Sequence, residues 1–300
     1  MEYKNTGWKL ATDRKHITFT DKQGLGSFKL IGTWDLHFYQ IDQIRRVRIV
    51  KRADGYYCQF CVAVDEVESS QPTQKAVGLD VGLNFFYTDS TGCQEANPRY
   101  YRNAEKQLHK LQRRVSRKFK KPKKKGDNQS NRYKKAKNRL ARKHLKISRQ
   151  RIEHAKRLAR CVVKSNDLIA YEDLKVRNMV RNQKLAKSIN DAGWYQFRIW
   201  LEHFGRKFGR VTVAVTPHYT SQNCSECGGI VQKSLSTRTH TCQCGCVLDR
   251  DENAALNILK LGLSTTGHVG TSALVAVNAQ GDGASTVVGE NLLQQVLSLN

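Results

Sequence analysis

The stretch that decides the fold runs from Cys224 to Leu259. It reads Cys224-Ser-Glu-Cys227-Gly-Gly, a spacer, Cys242-Gln-Cys244-Gly-Cys246, and then Asp249-Arg-Asp251-Glu-Asn253-Ala-Ala-Leu-Asn-Ile-Leu259. A structural zinc ion takes four thiolates tetrahedrally, usually from two short loops that a hairpin brings together. Cys224 and Cys227 supply the first loop, and the spacer to Cys242 is long enough for a hairpin. Gly228 and Gly245 each follow a cysteine, as a tight chelating turn wants, which favours Cys242 and Cys244 as the second pair. Cys246 is then a spare ligand or a core residue. Directly behind this metal-locked element, Asp251 rides on the first turn of a helix spanning Glu252–Leu261, with Asp249 as its competitor and Asn253 on the same turn. A carboxylate delivered by a rigid scaffold suggests an aimed catalytic group, whose partners must come from upstream.

The charge of the chain says what it meets. Over 300 residues the formal net charge is +26, an excess that points to a polyanion, of which nucleic acid is the commonest. No run approaches the ~18 apolar residues of a membrane span, and the polar start Met1-Glu2-Tyr3-Lys4 is not a signal peptide. Nine cysteines in a chain of this kind belong to the reducing cytoplasm, where clustered thiols are metal ligands rather than disulfides.

Upstream, residues 1–65 read as β structure, followed by a polar linker over 66–75. Short β-rich runs at Ile17–Phe19, Ser27–Leu30, Leu36–Tyr39, Val47–Val50 and Tyr56–Val64 are separated by Gly and Asp turn signals. Cys58 and Cys61 form a C-x-x-C, but on a strand residues three apart face opposite ways, so the pair is read as core. Residues 102–160 store the charge, with 25 Lys and Arg against Glu105, Asp127 and Glu153. Leu108, Leu111 and Val115, then Ala136, Leu140 and Ile147, recur at helical spacing on either side of a break at Phe119–Ser130. This predicts two long helices folded into a hairpin with a Lys-rich tip. So one-sided a surplus repels itself unless phosphates lie along it, and Arg113, Arg114, Arg117, Lys118, Lys134, Lys135, Arg139 and Arg142 are the predicted contacts. Trp194–Phe208 carries Phe197, Trp200, Leu201 and Phe204 at the spacing of an amphipathic helix, with its aromatics read as core. Lys175–Lys187 is polar and basic. Residues 263–300 read as a flexible tail, with a weak helix over Val287–Leu299.

Two further acids stand out because strands present them. In Ala76-Val-Gly-Leu-Asp80-Val-Gly-Leu83, the residues Val77, Leu79, Val81 and Leu83 fill one face at period two. Asp80 shares the other face with Ala76, Gly78 and Gly82, which leaves room for a metal or a backbone to approach closely. Phe85–Tyr87 and the turn at Asp89–Gly92 complete a hairpin. In Asp167–Leu174 the buried-type strand puts Glu172 on the face of Leu168 and Ala170, with Asp173 just past the end. Asp80, Glu172 and Asp251 brought to one point would repel one another without cations between them. Two Mg²⁺ ions about 3.5–4 Å apart would clamp the attacking water and leaving oxygen of a phosphodiester.

The motifs G-L-D-V-G-L at 78–83, Y-E-D-L at 171–174, T-S-Q-N-C-S-E-C-G at 220–228 and C-G-C-V-L-D-R-D-E-N-A-A at 244–255 resemble the transposon-encoded TnpB family. That family is related to the type V CRISPR effector nucleases. The resemblance covers roughly residues 7–261. It implies an α+β chain: a partial N-terminal β-barrel over 1–70, then an RNase H-like (RuvC) α/β domain over 71–216 with the basic helical hairpin inserted at 102–160. A zinc ribbon follows at 217–248, and the last helix of the nuclease domain at 249–262. It also implies that Asp80, Glu172 and Asp251 are metal-binding acids, that Mg²⁺ is catalytic and Zn²⁺ structural, and that the partners are DNA and a guide RNA. The order Asp, Glu, Asp argues against the Asp-Asp-Glu recombinases. Family members usually begin further upstream, with a first barrel strand and a helical recognition module. Against that pattern the chain reads as an N-terminally truncated copy or one with a misplaced start. Its expected activity is RNA-guided DNA cleavage, the alternative being a non-cleaving nucleic-acid-binding remnant or regulator.

Overall fold

The computed structural model describes residues 1–20, 24–32, 35–64, 67–68, 70–121, 128–234, 237–266 and 298–299. The chain forms two compact units. The first comprises Met1–Asp65, Lys106–Lys146 and the far C-terminal strand, and the second Glu66–Glu105 with Ile147–Gly283.

In the first unit the strands are β1 (Glu2–Lys4), β2 (Trp8–Leu10), β3 (His16–Phe19), β4 (Gly26–Ile31), β5 (Ile44–Lys51) and β6 (Tyr56–Val62). With the two-residue strand at Ser298–Leu299 they form one sheet, whose edges are β1 and β2. The sheet is open, which corrects the expected barrel: β1 and β2 are three-residue strands that pair only inward, to β5 and β3. Ile17, Phe19, Ile44, Val47, Cys58 and Phe60 alternate onto its buried face. Cys58 is buried there, its thiol pushed up to about 12 by burial, while Cys61 is only partly covered, so the C-x-x-C is core. Leu36–Phe38 is a 3₁₀ turn rather than the expected strand. The Asp35 carboxylate accepts the His37 backbone N–H at 2.9 Å, a local bond that competes with extended pairing.

The helices expected in the basic region are α1 (Tyr100–Lys118) and α2 (Asn131–Ser165). Where the chain reverses between them, Phe119 and Tyr133 meet with ring centroids 5.8 Å apart, and the Gln129 amide donates to the Lys120 carbonyl at 2.6 Å. The Lys-rich tip, residues 122–127, lies outside the described residues.

The second unit is built on β7 (Ala76–Val81), β8 (Phe85–Asp89), β9 (Gln94–Ala96), β10 (Leu168–Glu172) and β11 (Val211–Val215), in the order β11-β10-β7-β8-β9. β7, β10 and β11 run parallel, and β8 and β9 complete an antiparallel meander. Between β10 and β11 come α3 (Val176–Met179), α4 (Gln183–Ala192) and α5 (Trp194–Phe208). After β11 a small hairpin, β12 (Thr239–Thr241) and β13 (Val247–Asp249), leads into α6 (Arg250–Thr265).

The two faces of this sheet carry different covers. Val77, Leu79, Phe86, Ile169 and Tyr171 share one core with Ala155, Ala159 and Val163 of α2 and with Phe197, Leu201 and Phe204 of α5. The predicted apolar stripe of α5 is thus core. On the other face α6 packs over β7 and β10, with Ile258 among Leu168, Ala170, Val211 and Val213. Small residues set the depth of this contact. A Cβ on Gly78 would lie 2.1 Å from the Ala255 carbonyl oxygen, and one on Gly262 would lie 2.5 Å from the Ala170 Cβ. Of a metal or a backbone, the room left by Gly78 admits a backbone. α6 runs to Thr265, past the expected start of the tail at residue 263. The remainder of that tail, and residues 287–297 of the weak helix expected there, lie outside the described residues, while Ser298–Leu299 is strand. No helix among the described residues is long and apolar enough to cross a membrane.

Candidate functional site

Asp80 lies one residue before the end of β7 and Glu172 is the last residue of β10. The two strands are parallel neighbours with Gly78 opposite Ala170 and Leu79 opposite Tyr171. Continuing that register puts Asp80 beside Glu172, and period two puts both on the face that α6 covers. The close crossing at Gly78 holds the α6 axis against these strands, which carries Asp251, in the first turn of α6, toward the same end.

The electrostatics report the convergence. Burial pushes the Asp80 carboxyl well above the ordinary carboxylate range, and the negative charges of Glu172 and Asp251 push it the same way. Arg250 opposes them, and Asp249 adds a smaller upward push. Glu172 is also raised by burial, against a hydrogen bond from the Thr220 hydroxyl to its Oε1 at 2.6 Å.

Asp249 and Asp251 do different work. Asp249 is the N-cap of α6: its Oδ1 accepts the backbone N–H of Asp251 at 2.9 Å and of Glu252 at 3.4 Å, satisfying donors the helix leaves unpaired. Asp251 has no such backbone duty. Its Oδ1 accepts from Arg250 Nε at 3.0 Å and Nη2 at 2.8 Å, and its Oδ2 from Arg238 Nη1 at 3.4 Å. Asn253, on the same turn, is fully buried and committed elsewhere. Its Oδ1 accepts the Ser225 backbone N–H at 2.9 Å and its Nδ2 donates to the Asn223 carbonyl at 2.8 Å. One turn on, Asn257 Nδ2 donates to the Thr220 and Asn223 carbonyls, both at 2.8 Å. The asparagines of N-A-A-L-N therefore clamp the segment Thr220–Ser225 to the helix that bears Asp251.

That segment leads straight into the cysteines. The Sγ atoms of Cys224, Cys227, Cys242 and Cys244 lie within 4.8 Å of one another, with 3.7 Å between Cys224 and Cys244 and 3.5 Å between Cys227 and Cys242. Thiolates bound at ~2.3 Å to one tetrahedral zinc stand ~3.8 Å apart, so the cluster fits such an ion and could hold a metal. Cys246 is buried beneath it and groups instead with Cys224 and His240.

The eight predicted phosphate contacts, Arg113, Arg114, Arg117 and Lys118 on α1 with Lys134, Lys135, Arg139 and Arg142 on α2, all belong to the first unit and are exposed. None makes an ion pair among the described residues, and Arg142 Nε donates to the Ala53 carbonyl at 3.2 Å.

Reading the sequence alone missed Thr220, Arg238, Arg250 and Asn257. Thr220 and Asn257 stand within the quoted stretches, but their bonds span 48 and 37 residues, and no local pattern announces them.

Comparison with known proteins places the chain. The OrfB_IS605 family, described as a probable transposase, matches residues 59–183, and the Cas12f1-like TNB domain matches residues 194–258. A protein of Streptomyces pristinaespiralis named "Putative RNA-guided DNA endonuclease" is 39% identical over 222 residues, 73% of this chain and 53% of that protein. The Escherichia coli K12 protein named "Putative RNA-guided DNA endonuclease InsQ" is 30% identical over 236 residues, 73% of this chain and 57% of that one. The chain belongs to the TnpB family. As a TnpB-family chain it spans a little over half the length of these two relatives. Among solved structures, the Cas12f1–sgRNA–target DNA complex aligns with 83% of this chain and 67% of that one, at 14% identity and a TM-score of 0.45.

Proposed function

We propose that this TnpB-family chain is a transposon-associated DNA endonuclease of the RuvC type, dependent on Mg²⁺ and guided by an RNA. The observation that carries the reading is the convergence on one sheet end of Asp80, Glu172 and Asp251, drawn from two parallel strands and the helix laid across them. The carboxyl of Asp80 is pushed up by burial and by the other two acids. Such a cluster suits hard divalent cations held by oxygen ligands. The sheet order, with an antiparallel meander beside parallel strands, supports an RNase H-like domain.

In this reading Asp80, Glu172 and Asp251 would hold the divalent ions, whose charge would make a water more acidic and would stabilise negative charge on a leaving oxygen. Thr220 keeps the Glu172 carboxylate oriented through its 2.6 Å hydrogen bond. Arg250 and Arg238 balance Asp251 and bring positive charge to where a phosphate arrives. Asp249 fixes the helix start and takes no part in holding the ions. Cys224, Cys227, Cys242 and Cys244 hold Zn²⁺ as a structural ion, which keeps the Thr220–Ser225 segment in the shape that Asn253 and Asn257 grip. The exposed cations of α1 and α2 contact phosphates of guide RNA or DNA.

The test is cleavage by the full chain, purified with RNA from its own locus, of labelled single- and double-stranded DNA in Mg²⁺. Cutting that disappears in Asp80→Ala and in Asp251→Ala supports the assignment. Binding without cutting, equal in wild type and variants, would instead support a nucleic-acid-binding remnant or regulator, a reading favoured by the exposed cations of α1 and α2 alone.

A further inference from the structure

We infer that His240 is a positioning residue of the cysteine cluster: its Nε2–H donates to the Cys224 thiolate, and Lys233 holds the imidazole in the tautomer that can do so. The inference rests on the reading of Cys224, Cys227, Cys242 and Cys244 as a zinc site.

Four thiolates around one Zn²⁺ leave the cluster with a net negative charge, and the four sulfurs are not equally placed to shed it. Cys227 and Cys244 are exposed and Cys242 is partly covered, so water can solvate them, whereas Cys224 is buried. A buried charge needs a hydrogen-bond donor. His240 is the central residue of β12, between two exposed threonines, and alternation along the strand turns it inward. It is fully buried. One of its ring nitrogens groups with the Sγ atoms of Cys224 and Cys246, the three lying within 4.8 Å of one another.

The two ring nitrogens have different surroundings. Nδ1 meets Lys233 Nζ, which also donates to the Ser221 carbonyl at 3.3 Å. An ammonium has donors only, so Nδ1 is the acceptor and the ring proton sits on Nε2. Nε2 is buried and has no hydrogen-bond partner. An N–H buried without an acceptor is destabilising, and the Cys224 thiolate of a metal-bound cluster is the acceptor that would satisfy it. Cys246, outside the four-thiolate cluster, is a thiol and a weak acceptor. Through Lys233 the same line of contacts reaches Ser221, in the segment that Asn253 and Asn257 grip.

Glutamine tells a hydrogen-bond donor from a metal ligand, because its amide N–H can stand where Nε2–H does while glutamine is not a usual zinc ligand. The experiment measures the Zn²⁺ affinity of the full chain by competition with a chromophoric chelator, in excess Mg²⁺ so that the carboxylates do not report. Wild type is compared with His240→Leu, His240→Gln and Lys233→Met. Removing the outer partner of a metal ligand costs about 10- to 100-fold in affinity, and that loss is expected in His240→Leu. His240→Gln should bind nearly as wild type does. Lys233→Met should weaken binding in the same direction as His240→Leu, and it removes no core side chain, so it decides the matter even where His240→Leu fails to fold. Unchanged affinity in His240→Leu or in Lys233→Met overturns the inference. So does a loss in His240→Gln as large as in His240→Leu, which would point to His240 as a ligand. A wild-type chain that takes up no zinc sinks the zinc reading and this inference together, whereas zinc bound equally by all four proteins sinks this inference alone.

Discussion

Gly78→Ala tests the crossing that brings the carboxylates together. The added Cβ would stand 2.1 Å from the Ala255 carbonyl oxygen, 2.7 Å from the Leu259 backbone nitrogen and 2.9 Å from the Leu259 Cβ. Ordinary contact begins near 3.4 Å, and two of the three obstacles are helix backbone that no rotamer change can move. α6 must therefore retreat from β7 by about 1 Å or more. Overpacking of this kind costs about 1–3 kcal/mol, and the rigidity of the obstacle argues for the upper end, near 3 kcal/mol. For a cooperative unit of this size that lowers Tm by roughly 6–12 °C. Asp251 travels with the helix, and a 1 Å misplacement in a reacting constellation costs about 10²-fold in rate. Thermal unfolding and Mg²⁺-dependent cleavage, measured on the same preparation, read both effects, while nucleic-acid binding by the basic helices should persist. A variant with unchanged Tm and cleavage within twofold of wild type would refute the claim that this close crossing positions Asp251.

Other consequences follow from single contacts. Asp167 is buried in an ion pair with Arg210 and accepts backbone N–H groups of Thr73 at 2.9 Å and Gln74 at 2.6 Å. Burial pushes its carboxyl up, but these hydrogen bonds and Arg210 outweigh burial and leave it below the ordinary value. Its stabilisation is thus present above the ordinary carboxylate pKa of ~4 and is lost as pH falls through the lowered value. Asp167→Ala should cost about 3–5 kcal/mol at neutral pH in urea unfolding, with the gap to wild type closing in acid. Thr220→Val removes the hydroxyl that holds Glu172 down, so the acid limb of the pH–rate profile should move to higher pH; an unmoved limb would exclude the hydrogen bond from catalysis. Zinc analysis by mass spectrometry should find one ion per chain, retained in Cys246→Ser and lost in Cys244→Ser, and the reverse result would exchange their roles. Replacing Lys134 and Arg139 by Glu should weaken binding of any single strand alike and flatten its salt dependence, whereas a sequence-dependent loss would mean that they read bases.

Much of the second unit was legible in the sequence because its signals are local. The period-two run from Val77 to Leu83 announced β7 and the face on which Asp80 stands. The spacing of Phe197, Leu201 and Phe204 announced α5, and the thiol spacing announced the cluster. The chain hid what depends on distant partners. α4 went unread within Lys175–Lys187 because its buried residues, Ile189, Asp191 and Ala192, come at its end. There the Asp191 carboxylate accepts the backbone N–H of Tyr101 at 2.8 Å and of Arg102 at 3.0 Å. Leu36–Phe38 looked like a strand by composition, but an Asp35 side-chain bond made it a turn. Spacing ranked Asp251 above Asp249 without separating their roles; the structure does, with Asp249 capping α6 through its hydrogen bonds and Asp251 standing on the first turn.

The central claim, that Asp80, Glu172 and Asp251 together hold a divalent cation, is tested most directly by Mn²⁺ binding to the full chain, followed by electron paramagnetic resonance. The informative pair is Asp251→Asn and Asp249→Asn, because asparagine keeps the helix cap at 249 while removing its charge. Asp249→Asn is expected to bind Mn²⁺ nearly as wild type does, whereas Asp251→Asn and Asp80→Asn are expected to lose the bound signal. Equal binding by Asp251→Asn and wild type, or loss only in Asp249→Asn, would contradict the claim.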